Sequence, residues 1–391
     1  MGLNEKPMAE RLHIGFFGVR NVGKSSVVNA VTGQNLSIVS DVKGTTTDAV
    51  SKTMEILPLG PVVIIDTPGI DDEGTLGELR VKKAKQVLNK TDIAVLVTDV
   101  QRGIQVFEKE LGKLFASKNI PYLIVFNKCD MISDIPDMGQ NSIYVSAKDG
   151  TNIYQLKEML SKFQKRNDKK LIGDLIQAND IIVLVVPIDE SAPKGRLILP
   201  QQQMIRDILE HNAISIVVKD TELKTILTML PQKPKMVITD SQVFGKVSQI
   251  VSEDILLTSF SILFARYKGE LKELVKGALM LEQLKDGDTV LISEACTHHR
   301  QCNDIGTVRL PHWIENYTHK KIQFEFTSGG DFPEDLQKYA LIVHCGGCML
   351  NEREMNARIC HAGKCGVPIT NYGTAIAQIH GILKRSLSPF L

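Results

Sequence analysis

One short stretch limits the possible fold of this chain more than any other: the octapeptide GVRNVGKS, Gly18 to Ser25. It follows the apolar run HIGFFG and leads into the helical pattern KSSVVNAVTG. In the pattern G-x-x-x-x-G-K-[ST] the glycines let backbone N–H groups surround phosphate oxygens, and the helix presents the positive end of its dipole to them. The octapeptide therefore predicts a strand–loop–helix unit that binds a nucleotide through its phosphates.

Strands and helices alternate through residues 1–166. The apolar runs HIGFFG, PVVIID, DIAVLVTD, YLIVFNK and SIYVSA are separated by helical stretches such as GELRVKKAKQVLNK. Continuous apolar strands that alternate with helices indicate a mostly parallel sheet with helices on both faces. TMEILPL and PVVIID are joined so tightly that we expect them to form an antiparallel hairpin at one edge of this sheet.

Three further motifs, DTPG, NKCD and VSAK, follow strands in that order. Asp66 of DTPG is suited to hold the shell of a Mg²⁺ ion, and the N–H of Gly69 is suited to bind a γ-phosphate. Asp130 of NKCD can accept two hydrogen bonds from the N1 and N2 donors of guanine, which adenine lacks. VSAK supplies a backbone N–H for the guanine carbonyl. Together the motifs predict that the nucleotide is GTP or GDP rather than ATP.

The segment KGTTTD lies between the phosphate loop and the hairpin, where a first switch loop is expected. Thr46 in this segment is predicted to coordinate Mg²⁺ together with Ser25. The residues predicted to take part in GTP hydrolysis are Lys24, Thr46, Asp66, Gly69 and Glu78. The residues predicted to contact the nucleotide are Gly18, Asn21, Val22, Gly23, Lys24, Ser25, Ser26, Asp66, Gly69, Asn127, Lys128, Asp130, Ser146, Ala147 and Lys148.

Composition narrows the class of protein. The formal net charge is +1, which gives no electrostatic basis for a large nucleic-acid surface. Seven cysteines, an odd number in a chain of 391 residues, do not fit a secreted disulfide framework. The N-terminus lacks a signal-peptide core, and no apolar run reaches the ~18 residues of a membrane span. We therefore expect a cytoplasmic protein with free thiols.

The overall prediction is an α/β chain in which a P-loop GTPase domain, residues 1–166, precedes two smaller α/β domains, residues 175–260 and 261–391. The middle domain has three strand candidates, IIVLVVPID, AISIVVKD and PKMVITDS. So small a sheet makes a thin core, and we expect the domain to pair with a copy of itself as a homodimer. The last domain starts with one long helix, SFSILFARYKGELKELVKGALMLEQL. It continues with four strand candidates and the closing helix TAIAQIHGILKRSL.

Cysteines cluster at the strand ends of the last domain. Cys296 follows DTVLISEA, and Cys345 and Cys348 follow ALIVHC. In a parallel sheet these positions, with Asn371 and Tyr372, fall at the carboxyl edge, where crevices at a change in strand order bind ligands.

Soft thiolates at this edge bind Zn²⁺, Cu(I) or an iron–sulfur cluster. A structural zinc site is one arrangement, with ligands Cys296, Cys302, Cys345 and Cys348. In the other, three cysteines hold an iron–sulfur cluster whose fourth iron has a weaker ligand. The candidates for that ligand are His298, His344, Asp304 and water. Residue chemistry alone leaves both arrangements open.

The GTP motifs resemble those of tRNA-modification and ribosome-assembly GTPases. Asn21 and KGTTTD resemble the subset that uses K⁺ as an extra cation beside the β- and γ-phosphates. Ile70 stands where Ras-like proteins carry the glutamine that positions water. The resemblance implies that an acidic residue further along the second switch serves instead, with Glu78 as the first candidate and Glu73 as the second. It also implies slow hydrolysis suited to a switch.

The pattern Cys-x-His at 296–298 and His-Cys-x-x-Cys at 344–348, after a GTPase and a small middle domain, resembles the [FeFe]-hydrogenase maturation GTPase (HydF) family. The resemblance implies a [4Fe–4S] cluster on Cys296, Cys345 and Cys348, with His298 or His344 as a possible fourth ligand. It also implies a scaffold that carries the two-iron precursor of the hydrogenase active site. Its partners would be radical-SAM maturases and apo-[FeFe]-hydrogenase. The rival hypotheses are an RNA-directed GTPase with a structural zinc site, and a redox enzyme.

Overall fold

The structure is a computed structural model of the whole chain. It divides into two compact units, Met1–Asn167 and Asp168–Leu391, and each is considered by itself. The residues described are 7–34, 50–67, 84, 86–137, 139–163, 169–188, 197–269, 271–295 and 304–390.

The first unit is built on one six-stranded sheet, ordered β2-β3-β1-β4-β5-β6. Its strands are β1 Leu12–Phe17, β2 Val50–Ile56, β3 Gly60–Asp66, β4 Ile93–Asp99, β5 Tyr122–Asn127 and β6 Ser142–Tyr144. All neighbours are parallel except β2 and β3, which form an antiparallel pair at the edge. The predicted fold class and the predicted edge hairpin are both confirmed.

Helices cover both faces of this sheet: α1 Lys24–Thr32, α2 Val106–Ser117 and α3 Ile153–Lys162. Successive residues of a strand point to opposite faces. Phe16 accordingly packs in the same apolar cluster as Val28 of α1 and Leu156 of α3, whereas Phe17 packs against Phe115 of α2. The helix predicted over GELRVKKAKQVLNK lies largely outside the described residues.

The second unit contains two four-stranded parallel sheets. The first is ordered β10-β9-β7-β8 and the second β12-β11-β13-β14. The strands are β7 Ile181–Val185, β8 Ile214–Val218, β9 Met236–Thr239, β10 Leu256–Ser259, β11 Thr289–Glu294, β12 Gln323–Ser328, β13 Leu341–His344 and β14 Ile369–Asn371. The prediction of three strands in the first of these sheets was one strand short. Strand β10 was missed because its short run LLTS leads directly into a helical pattern.

Two of the helical stretches predicted in the second unit are each divided into shorter helices. They are α4 Leu199–Glu210, α5 Leu223–Met229, α6 Phe244–Ile250, α7 Phe260–Lys268, α8 Leu271–Leu279, α9 Leu310–Thr318, α10 Glu352–Lys364, α11 Tyr372–Ile379 and α12 Leu383–Leu387. The long helix predicted after Ser259 is in fact two helices, because Gly269 leaves the helical conformation with extended backbone angles. The predicted closing helix is also two helices, and Gly381 between them has φ +71°.

The two sheets of the second unit share one apolar core. Val183 and Val237 of the first sheet belong to the same buried cluster as Val290 and Val343 of the second. The predicted boundary between residues 260 and 261 therefore crosses continuous packing, and the division of this unit into two domains stays a prediction. Across the described residues, we find no helix that combines the length and apolar character needed to cross a membrane.

Candidate nucleotide and cysteine sites

The phosphate loop joins β1 to α1 and packs closely against neighbouring strands. Gly23 has φ +83°, and a Cβ there would lie 2.3 Å from Asn127 Nδ2. A Cβ at Gly18 would lie 2.5 Å from the carbonyl oxygen of Val97. The positive φ of Gly23 and the close approach at both positions explain why the loop uses glycine there.

Asn127 ties the phosphate loop to the VSAK segment. Its buried side chain donates from Nδ2 to the carbonyl of Val22 over 3.0 Å and accepts at Oδ1 from the N–H of Ala147 over 3.2 Å. The NKCD asparagine thus connects both ends of the predicted nucleotide site. Since it bridges two segments through buried hydrogen bonds, we expect its loss to disturb both.

Lys128 also holds the phosphate loop. Its Nζ donates to the carbonyl of Asn21 over 3.2 Å and to Asp99 Oδ2 over 2.6 Å. Burial alone would raise the pKa of Asp99, but the hydrogen bonds from Lys128 and from the backbone N–H of Gln101 lower it overall. Asn21, the predicted K⁺ ligand, is exposed and has φ +66°.

Lys24 and Ser25 at the start of α1 meet the end of β3. The buried Lys24 ammonium donates to Asp66 Oδ1 and to the carbonyl of Thr67, and Ser25 Oγ donates to Asp66 Oδ2 over 3.2 Å. Burial lowers the pKa of Lys24, and the adjacent Asp66 carboxylate opposes that shift. Asp66 therefore contacts both Lys24, the predicted phosphate-binding residue, and Ser25, a predicted Mg²⁺ ligand.

The predicted guanine-binding residues also lie together. Asp130 is exposed and accepts from Ser146 Oγ over 2.9 Å, while the buried Cys129 donates its backbone N–H to the carbonyl of Val145. Burial raises the pKa of the Cys129 thiol. Lys148 is exposed beside them.

The other residues predicted for the nucleotide site lie either near the phosphate loop or outside the described residues. Val22 is a buried residue of the phosphate loop, and Ser26 is exposed on the first turn of α1. Thr46, Gly69, Glu73 and Glu78 lie outside the described residues.

The cysteine segment lies at the carboxyl edge of the second sheet. Ser293 of β11 pairs with His344 of β13, which in turn pairs with Asn371 of β14. The strand order changes direction between β11 and β13, because β12 lies on one side of β11 and β13 on the other. This is the position at which an open α/β sheet forms a crevice.

The sulfur of Cys345 accepts hydrogen bonds from the backbone at this edge. It accepts the backbone N–H of Ala295 over 3.1 Å and that of Gly347 over 3.4 Å. Backbone N–H donors stabilise a thiolate more than a thiol, since the charged acceptor forms the stronger hydrogen bond. Ala295 immediately precedes Cys296 in the chain, so the two predicted ligand segments approach each other at Cys345.

Cys348 lies within a tight turn. Gly347 has φ +63°, and its carbonyl accepts the N–H of Leu350 over 3.0 Å. Burial raises the pKa of the Cys348 thiol, and the nearby Lys268 partly offsets that shift. Lys268 itself is buried, and its Nζ donates to the carbonyls of Gly347, Cys348 and Leu350 at 3.5, 3.3 and 3.2 Å.

Both ring nitrogens of His344 have protein partners. Arg358 Nη1 lies 3.0 Å from Nε2, and Nδ1 lies 2.8 Å from the carbonyl oxygen of Cys345. A guanidinium has only donors, so Nε2 accepts and Nδ1 carries the proton. Burial, with the charge of Arg358, lowers the pKa of His344 to about 3. For His344 to be the fourth cluster ligand, it would first have to break one of these two hydrogen bonds.

Two buried carboxylates complete the surroundings. Glu294 ends β11 and accepts from the hydroxyl of Tyr372 over 3.3 Å. Asp304 Oδ2 accepts from the N–H groups of Gly306 and Thr307 and from the hydroxyl of Thr307. Asp304, another candidate fourth ligand, is thus already engaged as the cap of the short helical turn that follows it.

The other cysteine-site predictions are not tested by the structure. Cys296, His298 and Cys302 lie outside the described residues. Within the described part of the chain, no three His, Cys, Asp or Glu side chains form a group that could hold a metal ion.

Sequence reasoning missed Lys268 and Arg358. Both are buried cations, with 3% and 4% of their surfaces exposed, and both contact the HCGGC segment. Neither belongs to a recognisable motif. All that the sequence could have indicated is that each cation lies in a helical stretch whose other residues pack against the sheet.

The sheet order, the loop after β1 and the clustering of its four motifs define the first unit as a P-loop GTPase domain. Residues 13–128 match the family model described as 50S ribosome-binding GTPase. Residues 171–269 match the hydrogen maturase F dimerization domain, and residues 272–389 match the hydrogen maturase F tetramerization domain. The chain belongs to the hydrogen maturase F family of hydrogenase maturation GTPases.

Curated relatives share only part of this architecture. The chain is similar to the tRNA modification GTPase MnmE of Bordetella avium, with 30% identity over 154 residues, 39% of this chain and 34% of that protein. The MnmE of Francisella tularensis subsp. novicida is 31% identical over 173 residues, 42% of this chain and 38% of that protein. The chain thus spans about a third of the length of these relatives.

Among solved structures, Era from Aquifex aeolicus covers 53% of this chain and 92% of its own, with 20% identity and a TM-score of 0.35. A likeness this low carries no argument about function. The tetramerization model was not anticipated, since the sequence predicted a homodimer.

Proposed function

We propose that this GTPase is a scaffold and carrier that binds a [4Fe–4S] cluster and delivers the two-iron precursor of the active site to apo-[FeFe]-hydrogenase. The observation that carries the proposal is the Cys345 sulfur, which accepts two backbone N–H groups at the carboxyl edge of the second sheet. One of those donors, Ala295, is the neighbour of Cys296. The membership of the family supports the role in hydrogenase maturation.

The donor set fits an iron–sulfur cluster. Cys345 and Cys348 follow one strand and Cys296 follows the adjacent parallel strand, so the three sulfur-bearing residues leave the same sheet edge. Hydrogen bonds from backbone N–H groups to sulfur are among the factors that set cluster potentials. In the bound state the cluster would supply an iron with an exchangeable position, while Cys296, Cys345 and Cys348 would hold it in place.

The first unit would bind GTP with Mg²⁺ and hydrolyse it slowly. Lys24 would bind the β- and γ-phosphates, and Ser25, Thr46 and Asp66 would complete the Mg²⁺ shell. Asn21 would place K⁺ beside the phosphates, and Glu78 would act on the attacking water. Nucleotide state would then change the switch loops, and through them the contacts with radical-SAM maturases and with apo-hydrogenase.

Homodimer formation is supported by the exposed edge of the first sheet in the second unit. Strand β8 is an edge strand, and its apolar side chains Ile214 and Val217 are 46% and 42% exposed. Edge strands with apolar exposed side chains are prone to pair with another chain. The strand lies within residues 171–269, the segment that the dimerization model matches.

The test is anaerobic reconstitution with iron and sulfide, with a matched pair of cysteine variants. Cys345→Ser is expected to lower bound iron and sulfide severalfold and to abolish hydrogenase activation, while GTP hydrolysis stays near the wild-type rate. Cys360→Ser is the control, because Cys360 is an exposed thiol on α10 outside the motif. Equal iron content in the two variants would contradict the proposal.

The main rival is an RNA-directed GTPase with a structural zinc site. It draws support from the similarity to tRNA modification GTPases, although these cover only part of the chain. Wild-type protein that retains zinc but no iron or sulfide after reconstitution, and that binds RNA with a strong salt dependence, would favour this rival. A net charge of +1 is against it.

A further inference from the structure

The turn that carries Cys348 is held by a lysine that comes from another part of the unit. Lys268 is the last residue of α7, and its ammonium reaches three carbonyl oxygens of the cysteine loop, those of Gly347, Cys348 and Leu350. Lysine has three N–H donors and no acceptor, so three converging carbonyls suit an ammonium group. The contact therefore fixes the direction of three peptide carbonyls at and around Cys348.

Burial makes this lysine unusual. Lysine is almost never fully buried unless it is paired, and desolvation of an ammonium costs several kcal/mol. Only 3% of the Lys268 surface is exposed. Its ammonium also lies 5.6 Å from the centroid of the Phe264 ring, a position in which the ring face attracts a cation. The three carbonyl acceptors explain how the ammonium is paired, but a neutral donor such as glutamine can also donate to carbonyls, so the positive charge itself calls for another explanation.

The chemistry of the proposed cluster gives that explanation. Three thiolates leave a [4Fe–4S] cluster with a net negative charge, and one-electron reduction makes it more negative. Nearby charge and solvent exposure are among the factors that set the potential of such clusters. A buried ammonium bonded to the carbonyl of Cys348 is screened little by solvent, so its positive charge also acts on the thiol of the same residue.

Other charges surround the same edge, and they differ in what they contact. Arg358 donates to His344, to the carbonyl of Gly329 and to Glu354, whereas Glu294 brings a negative charge to the end of β11. Lys268 differs from both because it donates to backbone carbonyls at and beside Cys348, whereas Arg358 reaches the HCGGC segment through the ring of His344. It is also the only one of the three that comes from the segment matched by the dimerization model, residues 171–269.

We propose that Lys268 is a positioning residue for the cysteine loop and places a positive charge beside the iron–sulfur cluster. The proposal rests on the cluster of the proposed function. It assigns to the end of α7 a direct part in the electrostatics of a site whose cysteines belong to residues 272–389.

The test compares the reduction potential of the reconstituted cluster in four proteins. Lys268→Met keeps the length of the side chain and removes the charge, and Lys268→Arg keeps the charge. Lys276→Met is the control, because Lys276 is 71% exposed in an ion pair with Glu273 on the neighbouring helix α8. Potentials are measured by redox titration followed by electron paramagnetic resonance, with iron, sulfide and oligomeric state determined on the same samples.

In Lys268→Met we expect the reduced cluster to lose a stabilising cation, so the potential becomes more negative. At a fixed potential the ratio of oxidised to reduced cluster is expected to rise about tenfold, which corresponds to ~59 mV for one electron. Lys268→Arg is expected to return most of the shift, and Lys276→Met to show none.

Equal potentials in wild type and Lys268→Met, whatever the iron content, would overturn the role of Lys268. So would a shift in Lys276→Met of the same size. If Lys268→Met fails to fold, Lys268→Gln, which is neutral but can donate, is measured against the same criterion. A wild-type protein that binds no iron and sulfide would instead contradict the proposed function, so the two failures are distinguishable.

Discussion

Each of the two candidate sites contains a buried lysine. One lysine begins its helix, and the other ends a different helix. Lys24 is the first residue of α1, and its ammonium contacts the Asp66 carboxylate and the carbonyl of Thr67. Lys268 is the last residue of α7, and its ammonium contacts three carbonyls of the cysteine loop. The first lysine lies beside the groups that we predict to bind phosphate and Mg²⁺, whereas the second lies on the backbone of the loop that we propose to bind the cluster.

The two candidate sites are stabilised by different kinds of polar contact. In the first unit the described polar contacts link motif to motif: Asn127 to Val22 and Ala147, Lys128 to Asn21. In the second unit they link motif to scaffold, through Lys268 and through Arg358. Removing a cation is therefore expected to cost turnover at the nucleotide site and fold stability at the cysteine site.

The largest expected effect is that of Arg358→Met. Arg358 is 4% exposed and donates to the buried His344 and to the half-buried carbonyl of Gly329 and carboxylate of Glu354, so its removal takes a partner from all three. Breaking such a buried network costs about 3–5 kcal/mol in the free energy of unfolding. Urea unfolding of the second unit is followed by the fluorescence of Trp313, the single tryptophan of the chain.

The control for that experiment is Lys364→Met, an exposed position on the same helix α10. We expect this variant to unfold within about 0.5 kcal/mol of wild type. GTP hydrolysis should be unchanged in both. A small loss of stability in Arg358→Met would contradict the view that the cysteine site is ordered by its scaffold.

The next largest effect is expected for Lys24→Ala. Loss of the ammonium removes the positive charge that would stabilise the transferring phosphate, and removal of one such electrostatic donor lowers kcat by about 10²–10³-fold. The rate is measured as phosphate release at saturating GTP, with Lys113→Ala on the exposed side of α2 as the control. Iron content is expected to stay at the wild-type level. A parallel loss of iron would contradict the view that Lys24 acts only at the nucleotide site.

Sequence motifs predicted most of the residues of the candidate nucleotide site but fewer of those at the candidate cysteine site. GVRNVGKS, DTPG, NKCD and VSAK each lie in one continuous segment beside a strand, so a local pattern was enough to identify them. The strand pattern predicted that Cys296, Cys345 and Cys348 lie at the same carboxyl edge, and in the structure the N–H of Ala295 donates to the Cys345 sulfur at that edge. Lys268 contacts residues 79 to 82 positions later in the chain, and no local pattern records so distant a contact.

The same reasoning explains the errors in the fold. The run SFSILFARYKGELKELVKGALMLEQL has a helical pattern throughout, yet the first helix ends at Lys268 because Gly269 is extended. A Cβ at Gly269 would lie 3.1 Å from Ile359 Cδ1, so the break is related to close packing against α10. Tertiary packing of this kind overrides local helical propensity, and it is not visible in the stretch itself.

A smaller effect is expected for Asn127→Ala. The substitution leaves the carbonyl of Val22 and the N–H of Ala147 without their side-chain partner, and each unpaired buried group costs about 1–3 kcal/mol. We expect GTP affinity to fall about tenfold or more, since 1.4 kcal/mol corresponds to a factor of ten. Titration with a fluorescent GTP analogue measures the affinity. Asn141→Ala, an exposed position before β6, should bind normally, and normal binding by Asn127→Ala would show that motif-to-motif contacts do not order the site.

The smallest effect is expected for Asp99→Asn, which weakens the ion pair that anchors Lys128. Because the Lys128 side chain is 35% exposed, solvent screens the pair, and we expect a loss of only about 0.5–1 kcal/mol in unfolding free energy at neutral pH. Burial acts to raise the folded pKa of Asp99, but the hydrogen bonds from Lys128 and from the backbone N–H of Gln101, together with the charge of Lys128, lower it overall from its ordinary value of 3.8. The stabilising contribution is therefore complete above about pH 4 and is lost as the pH falls through the folded pKa.

The advantage of wild type over Asp99→Asn should accordingly stay constant from about pH 5 to pH 8 and shrink below about pH 4. Far-UV circular dichroism during urea unfolding reports both units, and Trp313 fluorescence reports the second, so their difference isolates the first unit. An advantage that grows with acid would mean that the Lys128–Asp99 pair does not stabilise the folded state. The phosphate loop would then depend on Asn127 alone for its link to the NKCD motif, and the contrast with the scaffold-held cysteine loop would be correspondingly weaker.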